Sequence, residues 1–312
     1  GTLEYAVKTK GLYSYLLNAS NDNWTDRRDV RNVGVMASGL DYRIVLNNES
    51  MAIGKGRRSD QIGPEFGIGH YLGNATEDAT VMILKSCIGN RALGWELLPP
   101  GSEGFEFTDG NEVTWIHPGY GGAPERWKKG TEPNMISNWH AGIQYDGDVR
   151  RAKEVVKELD NLHIEYEVAG YFWWQGDRDS RSSALSRRYE QNLVHLIRQL
   201  RIDFNAPNAK FVCATLGQTQ MGATGNGGEI LNAMLAVDGK SGRYPEFQGN
   251  VATVYSHPLS KGGSSGNHYN NNAETFMNVG EAMGKAMVEL LNMGTETTTA
   301  TTLAPTLAPT TT

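Results

Sequence analysis

The sequence predicts an α/β protein: a mainly parallel sheet with helices on both faces. Three observations carry this. Apolar runs of strand length recur from about residue 79 onward. Segments with apolar residues at helical spacing separate them. The runs are apolar on both faces, as strands covered from both sides must be.

Taken in order, Ala79 to Cys87 (ATVMILKSC) reads as a strand. Val149 to Leu162 sets Val149, Ala152, Val155, Val156, Leu159 and Leu162 on one helical face. Tyr166 to Trp174 (YEVAGYFWW) is the next strand. Leu185, Tyr189, Leu193, Leu196, Ile197 and Leu200 mark a long amphipathic helix with Ser182 or Ser183 as its N-cap. Lys210 to Leu216 is a strand, Glu229 to Val237 a helix, and Asn250 to Ser256 a strand. A last helix carries Phe276, Val279, Met283, Met287 and Leu290. Near the N-terminus, Tyr5 to Leu17 reads as a helix and Trp24 to Val30 as a charged turn. Val33 to Met51 reads as a hairpin turning near Asn47-Asn48, so residues 1–60 are expected as an insertion over the sheet edge.

Composition narrows the function classes. The 312 residues carry a formal net charge of −6 without a long basic run, which argues against nucleic acid and anionic membrane partners. No apolar span reaches transmembrane length. With 37 Gly, 7 Trp and 13 Tyr, the chain fits either a loop-rich enzyme that stacks aromatics on a flat ligand or simply large loops. Cys87 and Cys213 fall in apolar runs and are expected as buried, reduced thiols. Four sequons, at Asn18, Asn23, Asn48 and Asn74, and a Thr/Pro tract over 294–312 that reads as a disordered linker favour the secretory route. No zinc-type cluster, P-loop, dinucleotide fingerprint or GxSxG elbow is present, so neither metal nor cofactor is expected.

Ligands of parallel sheets bind beyond the carboxyl ends of the strands. Three segments there are chemically suggestive. Trp173-Trp174-Gln175-Gly176-Asp177 offers Gln175 as donor to a developing oxyanion and Asp177 to orient a base or accept a sugar hydroxyl. It reads equally as an aromatic ladder ending in a solvated turn. Gly89 and Asn90 end the preceding strand, where a glycine lets a backbone N–H face a ligand; a plain strand-to-loop turn is the alternative. His268 stands out among seven histidines through its Gly/Asn/Tyr loop, GNHYN, as a proton shuttle.

At these residues the chain resembles the sialate O-acetylesterase-like (SASA) branch of the SGNH hydrolases, grouped with family 6 carbohydrate esterases. WWQGDRD resembles its Trp-x-Gln-Gly-Glu-x-Asp block, KSCIGNRALGW its oxyanion block, GNHYNNNAETF its His block, and Ile62 to Gly67 a helix start. The resemblance implies a three-layer α/β/α sandwich with a flavodoxin-like sheet over residues 1–293, lacking its first strand. It implies an acetylesterase acting on sugars through an acyl-serine, with an acetylated carbohydrate as partner. His268 would be general base, and Gly89, Asn90 and Gln175 would form the oxyanion hole. Three departures stand out. The family's Gly-Gln-Ser-Asn nucleophile block is not found, so the nucleophile is expected upstream of Gly1; Thr219 and Ser38 are the in-chain alternatives. Ser265 occupies the usual acid position three residues before His268, leaving Asp177 to orient the histidine or a Ser–His pair acting without a carboxylate. Asp177 also replaces a longer Glu. A catalytically inactive carbohydrate-binding module on the same scaffold is the alternative function.

Overall fold

The computed structural model of the chain describes residues 1–20, 23–41, 45–55, 61–135, 138–264 and 268–299. Its elements are β1 (Arg27–Gly34), β2 (Asn47–Met51), α1 (Glu65–Ala75), β3 (Val81–Lys85), β4 (Phe105–Thr108), β5 (Thr114–His117), β6 (Trp127–Lys128), α2 (Ile143–Asn161), β7 (Gly170–Trp173), α3 (Ser183–Asp203), β8 (Lys210–Ala214), α4 (Gly225–Ala236), β9 (Val251–Val254), a single helical turn α5 (His268–Asn271) and α6 (Ala273–Thr299).

Strands pair in three ladders, ordered β2-β1-β3, β4-β5-β6 and β7-β8-β9. β1 runs parallel to β3, and β7, β8 and β9 run parallel to one another. Alternate side chains point to opposite faces, as the pleat demands. Phe211 and Cys213 of β8, with Tyr171 and Trp173 of β7, join Leu193, Leu196 and Ile197 of α3. Val212 and Ala214, with Phe172, instead join Val279, Met283 and Met287 of α6. Ile83 of β3 reaches this second cluster, and Ile68 of α1 belongs to it. On the opposite face α2 serves both halves: Val155 packs with Val33, Met82 and Leu84, while Tyr145 and Val149 pack into the core beneath β7–β9. The two parallel ladders thus share helix layers above and below, giving the expected three-layer α/β/α sandwich.

Helices α1 and α6 meet backbone to backbone. A Cβ at Gly67 would lie 2.4 Å from the Glu281 nitrogen, and one at Gly280 2.2 Å from the Pro64 carbonyl oxygen. Ser182 caps α3, its side chain accepting from the Leu185 N–H.

The N-terminal reading needs correction. Tyr5 to Leu17 forms two short turns, Tyr5–Thr9 and Ser14–Leu16, because Gly11 and Tyr13 adopt φ of 68° and 51° between them. Arg27 to Gly34 is a strand: Val30 and Val33 are buried, while Arg27 pairs with Asp29 and Arg31 with Asn48 at its surface. It is the central strand of β2-β1-β3, so this part of residues 1–60 lies within a sheet. Asn47 and Asn48 pair with Gly34 and Val33 inside the antiparallel ladder instead of forming its turn. Both thiols are free, but Cys87 is exposed; it lies two residues beyond the end of β3. α6 continues to Thr299, into the tract expected as linker, and 300–312 lie outside the described residues. No helix among the described residues is long and apolar enough to cross a membrane.

Candidate active site

The carboxyl ends of β3, β7 and β8 bring three of the expected segments to one edge. Beyond β7, the Trp174 indole donates to the Thr215 carbonyl (3.1 Å), locking this strand end to β8. The chain then turns through Gly176 at φ 145°, where a Cβ would meet Ile230 at 3.0 Å.

Gln175 is fully engaged. Its Nε2 donates to the Arg91 carbonyl (2.8 Å) and to Asp179 Oδ2 (2.6 Å), and its Oε1 accepts from the Tyr189 hydroxyl (3.0 Å). A primary amide has two N–H bonds to give. In this conformation the Gln175 side chain therefore has none left for an oxyanion, and it acts instead as a tie between the β7 block and the loop after β3.

The other end of that tie is Asp179, fully buried. Its carboxylate accepts from the Leu93 N–H (2.9 Å) and the Gly94 N–H (2.8 Å) as well as from Gln175. Burial pushes its carboxyl up to about 6, against the pull of these hydrogen bonds. Glu96, also buried, accepts from the neighbouring Ala92 N–H (2.9 Å). Sequence reasoning singled out neither carboxylate for this work; the i, i+4 spacing of Gln175 and Asp179 was the available signal.

The same loop exposes Gly89 and Asn90 to solvent. Nothing lies within 4 Å of where a Gly89 Cβ would stand, and Asn90 adopts φ 59°, a conformation that asparagine tolerates. An open glycine beside an asparagine amide is a suitable donor pair for a ligand oxygen.

Asp177 pairs with Arg181 (2.5 Å) and accepts from Gln218 Nε2 (3.5 Å). Gln218 also lies 3.5 Å from the Tyr269 hydroxyl, which accepts from the Gly217 N–H (3.2 Å). His268, immediately before Tyr269, is exposed and makes no hydrogen bond among the described residues. The structure therefore links Asp177 to the histidine's turn through Gln218 and Tyr269, without a direct Asp177–His268 bond. Ser265 lies outside the described residues. All four residues of α5 have φ near 50°, a left-handed turn whose apolar anchor is the buried Tyr269.

Of the in-chain hydroxyls, Thr219 is buried and capped into a turn on the Leu216 carbonyl. Ser38 is exposed and takes a hydrogen bond from Arg91 Nη2 (2.9 Å), so it borders the loop of Gly89 and Asn90. The small sheet β4–β6 was unread in the sequence; the connection between its β5 and β6 meets the site at Glu125, 3.3 Å from the Arg178 guanidinium.

A family described as carbohydrate esterase, sialic acid-specific acetylesterase, matches residues 109–289. That span contains the 171–180 and 266–276 blocks and begins after the loop of Gly89 and Asn90. Among solved structures, a protein from Arabidopsis thaliana shares the fold over 87% of this chain and 89% of its own, at 16% identity and a TM-score of 0.50. A carbohydrate acetylesterase from Xanthomonas citri is 12% identical with a TM-score of 0.49, the match covering 85% of this chain and 49% of that one. No curated protein matches the chain.

Proposed function

Because this chain belongs to the family of carbohydrate esterases that includes the sialic acid-specific acetylesterases, we propose that it hydrolyses acetyl esters on sugars by a serine–histidine mechanism. The observation that carries the reading is the meeting, at one sheet edge, of an open Gly89-Asn90 donor pair, the Gln175–Asp179 tie and an exposed His268 turn.

In this mechanism His268 takes the proton from a serine as its oxygen attacks the acetyl carbonyl. The Gly89 backbone N–H and the Asn90 side chain stabilise the oxyanion. His268 returns the proton to the departing sugar hydroxyl, then activates the water that releases acetate from the acyl-serine. Asp177 orients the histidine's turn through Gln218 and Tyr269.

The serine is assigned to a segment ahead of Gly1. One feature supports this. β3 pairs with β1 and β7 with β8, and neither is paired on its other side among the described residues. The two bare edges lie between the same helix layers, so one further parallel strand would join them into a continuous sheet. The exposed sequons Asn23, Asn48 and Asn74 support a secreted protein.

The test is turnover of a chromogenic acetate by the 312-residue chain and by the same chain extended upstream. Activity that requires the extension and is abolished by His268→Ala supports the assignment. A cooperative melt with full activity in the 312-residue chain would overturn the upstream serine. Among the described residues no acid is hydrogen-bonded to His268, and this favours one second reading, an inactive carbohydrate-binding module. Binding of an acetylated sugar without turnover by the extended chain would select it.

A further inference from the structure

We infer that Asp179 is a positioning residue that sets the oxyanion loop, Gly89–Gly94, against the β7 edge; this rests on the esterase reading above.

The geometry is unusual for a structural carboxylate. Asp179 is fully buried, and its three partners at 2.6–2.9 Å are neutral N–H donors. Burying a charge without an opposite charge is costly, which burial's upward push on its titration reflects. A well-packed apolar residue would serve stability better.

What the charge holds is a run of consecutive backbone groups. Gln175 takes the Arg91 carbonyl, Glu96 the Ala92 N–H, and Asp179 the Leu93 and Gly94 N–H groups. Ala92 and Leu93 are wholly buried, and a Cβ on Gly94 would stand 2.8 Å from Leu185. The buried half of the loop is therefore clamped, while Gly89 and Asn90, two to three residues earlier, stand open to solvent. Among the described residues β3 and β7 share no ladder. The bonds converging on Asp179 tie this loop directly to the β7 block, beyond the strand ends that a further strand would join.

The experiment compares the full-length protein with its Asp179→Asn variant. The near-isosteric amide must turn its NH2 toward one of three donors, breaking at least one bond. Exchange of the Leu93 and Gly94 amides is expected to quicken at least about tenfold. Exchange at Leu193 and Ile197 of α3 should stay unchanged. On a chromogenic acetate kcat is expected to fall about 10- to 100-fold, with KM within about threefold, because displacing an oxyanion donor costs transition-state binding. Should this variant fail to fold, Gln175→Met, which keeps the Leu93 and Gly94 bonds but frees the Arg91 carbonyl, is expected to lower kcat about tenfold by the same reasoning. Quickened exchange with kcat unchanged, or exchange unchanged, would overturn the inference. If the wild-type protein shows no turnover, the esterase reading falls, while the exchange pattern still decides whether Asp179 holds the loop.

Discussion

The ring of Tyr269 stacks on that of Trp174, with centroids 5.6 Å apart and planes 14° from parallel. Trp174 follows β7 and Tyr269 follows His268, so this contact docks the histidine's turn onto the strand edge that carries Gln175 and Asp177. Phe276 closes the group edge-on to both rings. Tyr269→Ala should cost about 3–5 kcal/mol, as deletion of a buried aromatic does. Tyr269→Phe, which loses the hydroxyl that accepts from Gly217, should cost about 1 kcal/mol. Denaturant melts of the two variants check the order and spacing.

His268 itself contributes little to stability. It is exposed, unbonded among the described residues, and holds φ 50°, which asparagine adopts readily. His268→Asn should leave the unfolding free energy within about 0.5 kcal/mol. On the proposed mechanism, in which His268 is the general base, the same change should lower kcat by about 10²- to 10⁴-fold. Melts and turnover measured on one preparation test the separation.

Asp179 makes stability depend on pH in an unusual direction. Burial raises its carboxyl from 3.8 to about 6 in the folded state. The folded protein then binds the proton more tightly than the unfolded chain, so stability falls as pH rises from about 4 to about 6 and recovers as pH drops through the same window. Across that window the change in stability from this one group should be on the order of 3 kcal/mol. Relative to the wild type, stability of Asp179→Asn should therefore rise more, or fall less, as pH goes from about 4 to about 6. An equal slope in both proteins would remove Asp179 as the cause.

The start of α3 offers a simpler measurement. Ser182 is the only side chain accepting from its first turn, at Leu185 (3.4 Å), among the described residues. Ser182→Ala should cost about 1 kcal/mol. Ser183→Ala, one residue into the helix, should cost less, and a pair of thermal melts distinguishes the two positions.

The strands of the β7-β8-β9 ladder were legible because helices cover both of its faces. YFWW, KFVCA and the run from Val251 are apolar at nearly every position, and no surface pattern dilutes them. β1 was not legible, since Arg27, Arg28, Asp29 and Arg31 surround its only buried side chains, Val30 and Val33. The small β4–β6 sheet escaped notice because its strands span only two to four residues. In the candidate site, Gly89, Asn90, Asp177 and His268 stand out by residue type and by their place after strands, and their roles belong to the proposed mechanism. The work of Asp179 was hidden because its partners at Leu93 and Gly94 are backbone amides, 86 and 85 residues away, whose side chains say nothing of it. Gln175 misled for a related reason: its amide chemistry suits an oxyanion, but local neighbours consume it.

Gly67 and Gly280 leave α1 and α6 no clearance where they cross. In a saturation library these two positions should reject even alanine, and at a distance from the chemistry. Their variants would register as low cellular abundance with normal specific activity in whatever survives. A screen scored on total activity would then mistake a packing requirement for a catalytic one unless protein level is counted alongside.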